Sequence, residues 1–227
     1  MTLFDDKLHE APIGEHPQRI IDVGTGTGIW AIEMGKSATS IPQLKVPPNV
    51  KFEIDDVELE WTHNEPFDYI HCRYMCACIK NWPKLVRTCY EHLKPGGYVE
   101  FKDFDLQYYS EDNTYTDDLA CARYISLILQ GANMTGKDPC PGRNLEKWVR
   151  DAGFEDVHHK LVKVPLGPWP ADSKLKTVGL LSRTQRLEGL EAFALAFLTR
   201  QLHWEVEEVQ ILVAKSQSSY VQFGGQD

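Results

Sequence analysis

The sequence predicts a doubly wound α/β fold, and three observations carry that expectation. A short apolar run, Arg19-Ile20-Ile21-Asp22-Val23, enters a cluster of glycines and gives way at once to helical spacing. Strand and helix patterns then alternate through roughly the first hundred residues. Beyond them the apolar spacing is mainly helical, which adds a helical cap to the sheet.

Taken in order, Gly28 to Met34 reads as the helix after the glycines. Lys51 to Asp55 alternates and ends in acids, as a half-buried strand would. Phe67 to Cys72 is a second apolar strand, announced by the turn residues Asn64-Glu65-Pro66. A helix over Leu85 to Leu93 is broken by Lys94-Pro95-Gly96-Gly97, and Tyr98 to Phe101 resumes as a strand. Helices are expected over Asp117 to Asn133 and Leu145 to Ala152, the latter stopped by Gly153. Val157 to Val164 reads as a strand. Lys174 to Ser216 has helical spacing with a break near Trp204, and Ser216 to Phe223 leaves room for a short last strand. With no repeat or linker, a single domain over residues 1–227 is expected, its core at about 17–165 and a helical addition at about 172–216.

Of the 227 residues, 42% are hydrophobic and 25% charged, a balance suited to a buried core with a solvated surface. The formal net charge of -9 disfavours a broad face for nucleic-acid phosphates. No run approaches the ~20 apolar residues of a membrane span, and the acidic start is unlike a signal peptide. An intracellular protein, cytoplasmic or nuclear, is the expectation. The six cysteines form no CxxC pair, so reduced thiols are expected and no metal site.

Two stretches offer themselves as nucleotide motifs. Gly35-Lys36-Ser37 resembles the end of a P-loop, but the glycine such a loop needs at position 30 is Trp30. It is expected instead to end a helix, with Gly35 as a left-handed cap. The run Asp22-x-Gly24-x-Gly26-x-Gly28 stands between a strand and a helix, where backbone N–H groups and the helix dipole face a ligand. A dinucleotide fingerprint would require glycine where Ile29 stands.

That run resembles the first motif of class I S-adenosylmethionine-dependent methyltransferases. The phrases GTGTGIWAIEM, PPNVKFEIDDVELEW, FDYIHCRYM, LKPGGYVEFKDF, AGFEDV, PLGPWP and LEGLEAFALAFLTRQLHWEVEEV narrow the likeness. They resemble the fungal LaeA-like group, which includes regulators of secondary metabolism and methyltransferases encoded in biosynthetic clusters. The likeness covers most of residues 3–215. It implies a Rossmann-like class I sheet and S-adenosylmethionine as cofactor. Asp22, Gly24, Thr25, Gly26 and Gly28 would form the cofactor loop, and Asp55, Asp56 and Val57 would meet adenine. Arg73 would either bind the cofactor's carboxylate or pair with a surface acid.

One part of the pattern is missing. Family members carry a second strand ending in an acid for the ribose hydroxyls, about 20 residues past the glycines. Here no carboxylate lies between Glu33 and Glu53, and prolines interrupt the stretch, which points to a deleted second strand. The deletion belongs either to the transcript or to the protein.

Other residues keep two readings. His71 is either a base near the acceptor or a packed, hydrogen-bonded histidine. Trp30 either packs under the loop or touches cofactor. His158 and His159 are expected to be structural. Phe104, Tyr108, Tyr109 and Tyr115 either line an apolar substrate pocket or fill core. Methyl transfer needs positioning and desolvation more than a catalytic triad, so no catalytic residue is assigned. The expected function is methyl transfer to a small secondary metabolite. The alternative is a regulator working through protein partners, including a methyltransferase fold that has lost catalysis.

Overall fold

The computed structural model describes residues 7–37 and 46–223. In chain order they form β1 (Ile20–Val23), α1 (Ile29–Ser37), β2 (Phe67–Arg73), α2 (Trp82–Glu91), β3 (Leu93–Lys102), α3 (Ala120–Met134), α4 (Gly142–Asp151) and α5 (Ser173–Ala194). A π-helical turn (Leu195–Thr199), α6 (Arg200–Leu202) and α7 (Val206–Phe223) follow. They fall into two compact units: residues 7–105 with 141–159, and residues 106–140 with 160–223.

The first unit is built on a parallel sheet in the order β1-β2-β3. The central strand is buried on both faces, as its apolar run Phe67-x-Tyr69-Ile70-x-Cys72 requires. On one face Val23, Ile70, Cys72, Leu85 and Cys89 pack together, joined by Trp82, which stacks on Trp148 of α4 at 6.1 Å. The other face is partly polar. Register places Asp22 beside His71, and His71 beside Glu100. The N-terminal segment is tied to that face, because the Glu100 carboxylate accepts the N–H groups of Glu10 and Ala11 at 2.9 Å each. Helix α2 starts where Asn81 Oδ1 accepts the Lys84 N–H at 3.0 Å, with a proline in its first turn.

The second unit is helical. Helix α7 packs on α3 and α5, and Tyr124 Oη donates to the Leu190 carbonyl at 2.8 Å. Gly131 lets α3 approach the π-helical turn, since a Cβ there would stand 2.9 Å from Phe197 Cβ. The break near Trp204 is present: His203 takes φ 55° after α6, and the Trp204 N–H returns to the Leu198 carbonyl at 3.1 Å.

The alternating sheet-and-helix plan of the sequence is thus present, and four local expectations need correction. Residues 51–55 form no strand, because their alternating apolar side chains meet no sheet: Ile54 is fully exposed, and Phe52 leans on Gly28. Residues 157–164 form none either, with Leu161 and Val164 facing outward. The segment from Ser216 is helix, not strand. Its buried face includes Ser216, Ser219 and Tyr220, whose spacing matches a helix once serines are counted as buried. Gly35 lies inside α1 and not at a left-handed cap. Its place in the sequence comes from packing, because a Cβ would stand 2.4 Å from Val50 Cγ2.

The stretch between Ser37 and Val46, where a second family strand would begin, lies outside the described residues. Among the described residues no helix is long and apolar enough to cross a membrane, and no histidine, cysteine or carboxylate cluster is arranged for a metal.

Candidate functional site

The polypeptide leaves β1 at Val23 and turns through three glycines before α1 begins. Gly24, Gly26 and Gly28 have φ of 72°, 55° and 77°, the left-handed region that glycine enters without a Cβ penalty. Two of them are also crowded. A Cβ on Gly24 would stand 2.1 Å from Met75 Sδ, and one on Gly28 would stand 2.7 Å from the Phe52 ring. Gly26 differs, because among the described residues nothing lies within 4 Å of its Cβ position. The middle of the loop therefore presents bare backbone to open space, at the head of a helix whose N–H groups lack intrahelical partners.

Asp22 fixes this loop from below. Thr25 Oγ1 donates to Asp22 Oδ2 at 2.5 Å, and His71 Nδ1 donates to Asp22 Oδ1 at 2.8 Å. The Gly28 N–H closes the turn on the Thr25 carbonyl at 2.9 Å. His71 is buried and lies flat against Trp30, ring centroids 3.9 Å apart and planes 5° from parallel. The Trp30 indole N–H donates to the Leu8 carbonyl at 2.8 Å. Both residues thus take the packed reading.

A second bracket comes from the end of β3. The Asp103 carboxylate accepts the N–H groups of Met75 at 2.7 Å, Cys76 at 3.2 Å and Phe104 at 2.9 Å. It thereby holds the segment after β2, where Tyr74 and Ala77 both have positive φ, and so holds Met75 on Gly24. Burial pushes the Asp103 carboxyl up to about 6, more than these three N–H groups lower it. Neither Asp103 nor Met75 stands out in the sequence by motif; an acid just beyond an apolar strand was the one available signal.

Asp55 leads into a turn that Asp56 and Val57 begin, closed by the Leu59 N–H on the Asp56 carbonyl at 3.0 Å. Asp55 Oδ1 accepts the Asp56 N–H at 2.8 Å, Asp56 Oδ1 accepts the Glu58 N–H at 2.9 Å, and both acids are exposed. Val57 packs against the sheet core. Glu58, which sequence reasoning passed over, ties this turn to α2 by accepting the N–H groups of Lys80 at 3.0 Å and Asn81 at 2.8 Å. Arg73, at the end of β2, sets its guanidinium 5.3 Å from the Tyr74 ring centre. All nine sequence-predicted residues lie in the first unit; Asp22, Thr25 and Gly28 are joined by hydrogen bonds, and Gly24 and Gly26 flank Thr25 in the chain.

A parallel sheet whose first strand opens through an acid and three left-handed glycines into a helix is a Rossmann-like arrangement, consistent with a methyltransferase fold. Residues 2–159 match the methyltransferase-domain family, and the chain belongs to it. Within that family it falls in the LaeA-like group of fungal secondary metabolism. It is 40% identical over 221 residues to the methyltransferase pytC of Aspergillus terreus, covering 92% of this chain and 68% of that one. It is 28% identical over 217 residues to the probable methyltransferase tdiE of Emericella nidulans, covering 91% and 68%. It is 30% identical over 218 residues to the protein-methionine methyltransferase laeA of the same organism, covering 89% and 58%.

Proposed function

We propose that this chain is an S-adenosylmethionine-dependent methyltransferase acting on a small secondary metabolite inside the cell. The observation that carries the reading is the glycine loop, held by Asp22, Met75 and Phe52 and, among the described residues, open at Gly26. A side chain at that position would occupy the space that a ligand needs, so the loop fits a nucleoside cofactor. Asp22, Gly24, Thr25, Gly26 and Gly28 would hold the cofactor's central portion. Asp55, Asp56 and Val57 would meet its adenine, and Arg73 its carboxylate. Bound there, the cofactor supplies a methyl group on a sulfonium centre. The protein's part is to orient acceptor and donor and to exclude water.

Incubation of the chain with isotopically labelled S-adenosylmethionine and candidate metabolites tests this. The mass increment of one labelled methyl group on a small molecule, found by mass spectrometry, supports the reading. Label appearing only in protein would favour a second reading, a regulator that acts on a protein partner in the cytoplasm or nucleus. The similarity to the protein-methionine methyltransferase laeA favours that alternative, and the lack of any carboxylate between Glu33 and Glu53 to grip a ribose favours its non-catalytic form, in which no label is transferred at all.

A further inference from the structure

We propose that His71 is a positioning residue for the cofactor loop, acting through Asp22 and Thr25. The inference rests on the cofactor reading above and adds a residue to it. A histidine in the middle strand of a parallel sheet is costly to bury, and an apolar side chain would fill the space under Trp30 as well. His71 is 1% exposed, and among the described residues its Nε2 has no hydrogen-bond partner. Packing therefore does not account for it.

Its Nδ1 accounts for it. An ionised carboxylate only accepts, so Nδ1 carries the proton and donates to Asp22 Oδ1 at 2.8 Å. Asp22 Oδ2 accepts from Thr25, the residue between the crowded Gly24 and the open Gly26. The chain of contacts runs from Trp30 to His71, Asp22 and Thr25, with one link on each carboxylate oxygen. It sets the side-chain rotamer of Asp22 and, through Thr25, the path of the loop. A loop fixed before the ligand arrives spends less free energy on ordering, so the effect falls on affinity. The stack against Trp30 covers His71, which removes it as a base for the acceptor.

Calorimetric titration of the whole chain and its variants with S-adenosylhomocysteine tests the proposal, with melting temperatures recorded alongside. His71→Leu is expected to weaken binding about tenfold. His71→Asn, whose amide can donate from nearly the position of Nδ1, should stay within about threefold of the parent. Thr25→Val should weaken binding several-fold, and the double variant His71→Leu/Thr25→Val should be less impaired than the product of the two losses. Unaltered affinity in a folded His71→Leu, or an Asn variant no better than Leu, overturns the proposal. Should the Leu variant fail to fold, Thr25→Val decides: parental affinity there also overturns it. A parent chain that binds no S-adenosylhomocysteine overturns the cofactor reading itself, and this inference with it.

Discussion

Met75 rests its sulfur on Gly24. A Cβ on that glycine would stand 2.1 Å from Sδ, so Gly24 is required both by its φ of 72° and by its neighbour. Gly26 carries the backbone requirement alone. Gly24→Ala should therefore destabilise the protein by about 2–4 kcal/mol, strain plus overpacking, and Gly26→Ala by about 1–2 kcal/mol. Adding Met75→Ala to Gly24→Ala should recover the packing share only. Urea denaturation midpoints check this; equal losses for the two glycine variants would contradict it.

Gly35 offers a contrasting case. Alanine is ordinarily preferred inside a helix by about 1 kcal/mol. Here Gly35→Ala should destabilise, because the new methyl meets Val50 Cγ2 at 2.4 Å. Combined with Val50→Ala, the same change should become neutral or stabilising. Thermal melts of the single and double variants measure it.

Asp103 gives a signed dependence on pH. Its carboxyl is raised by burial from 3.8 to about 6, so the folded state holds that proton more tightly than the unfolded chain. The contribution favours the fold below about pH 4 and is lost as pH rises through about 6. Glu100 runs the other way: burial alone would raise it, but Lys102 and the N–H groups of Ala11 and Glu10 hold it lower. Its contribution is present above the ordinary carboxylate range and is lost as pH falls. In Asp103→Asn the first effect disappears. The parent's melting temperature minus the variant's should fall by about 5 °C from pH 4 to pH 7, on the order of 2 kcal/mol. Calorimetric scans at several pH values test it, and a difference constant with pH would refute it.

Glu58 anchors the turn proposed to meet adenine. Glu58→Ala leaves the Lys80 and Asn81 N–H groups without their carboxylate and should cost about 1 kcal/mol. It should also weaken S-adenosylhomocysteine binding several-fold. Glu58→Gln, which keeps an acceptor oxygen, should retain most of both. An affinity unchanged by the alanine variant would detach this turn from the cofactor.

How far the sequence speaks depends on whether a residue's neighbours are local. The strand–glycine–helix unit was legible because its signals are adjacent: apolar run, acid, three glycines, helical spacing. Asp22 was legible for the same reason, standing at the strand's end. Gly35 misled because its partner, Val50, is distant in sequence and a glycine near a lysine imitates a helix end. Residues 51–55 alternate correctly for a strand, yet a strand also needs an edge to pair with, which alternation does not encode. Ser216 and Ser219 hid a helix face, since a buried serine satisfied by Leu212 O or Cys121 Sγ reads as polar. Asp103 and Met75 belong to the site only through backbone N–H groups and a close packing contact, and neither leaves a mark in residue type.

The central claim is that the loop around Gly26 binds S-adenosylmethionine. Isothermal titration of the parent chain and of Gly26→Arg with S-adenosylmethionine tests it most directly. Saturable binding by the parent, abolished in a Gly26→Arg variant that melts cooperatively, is the predicted result. No binding by the folded parent, or equal binding by both, would contradict it.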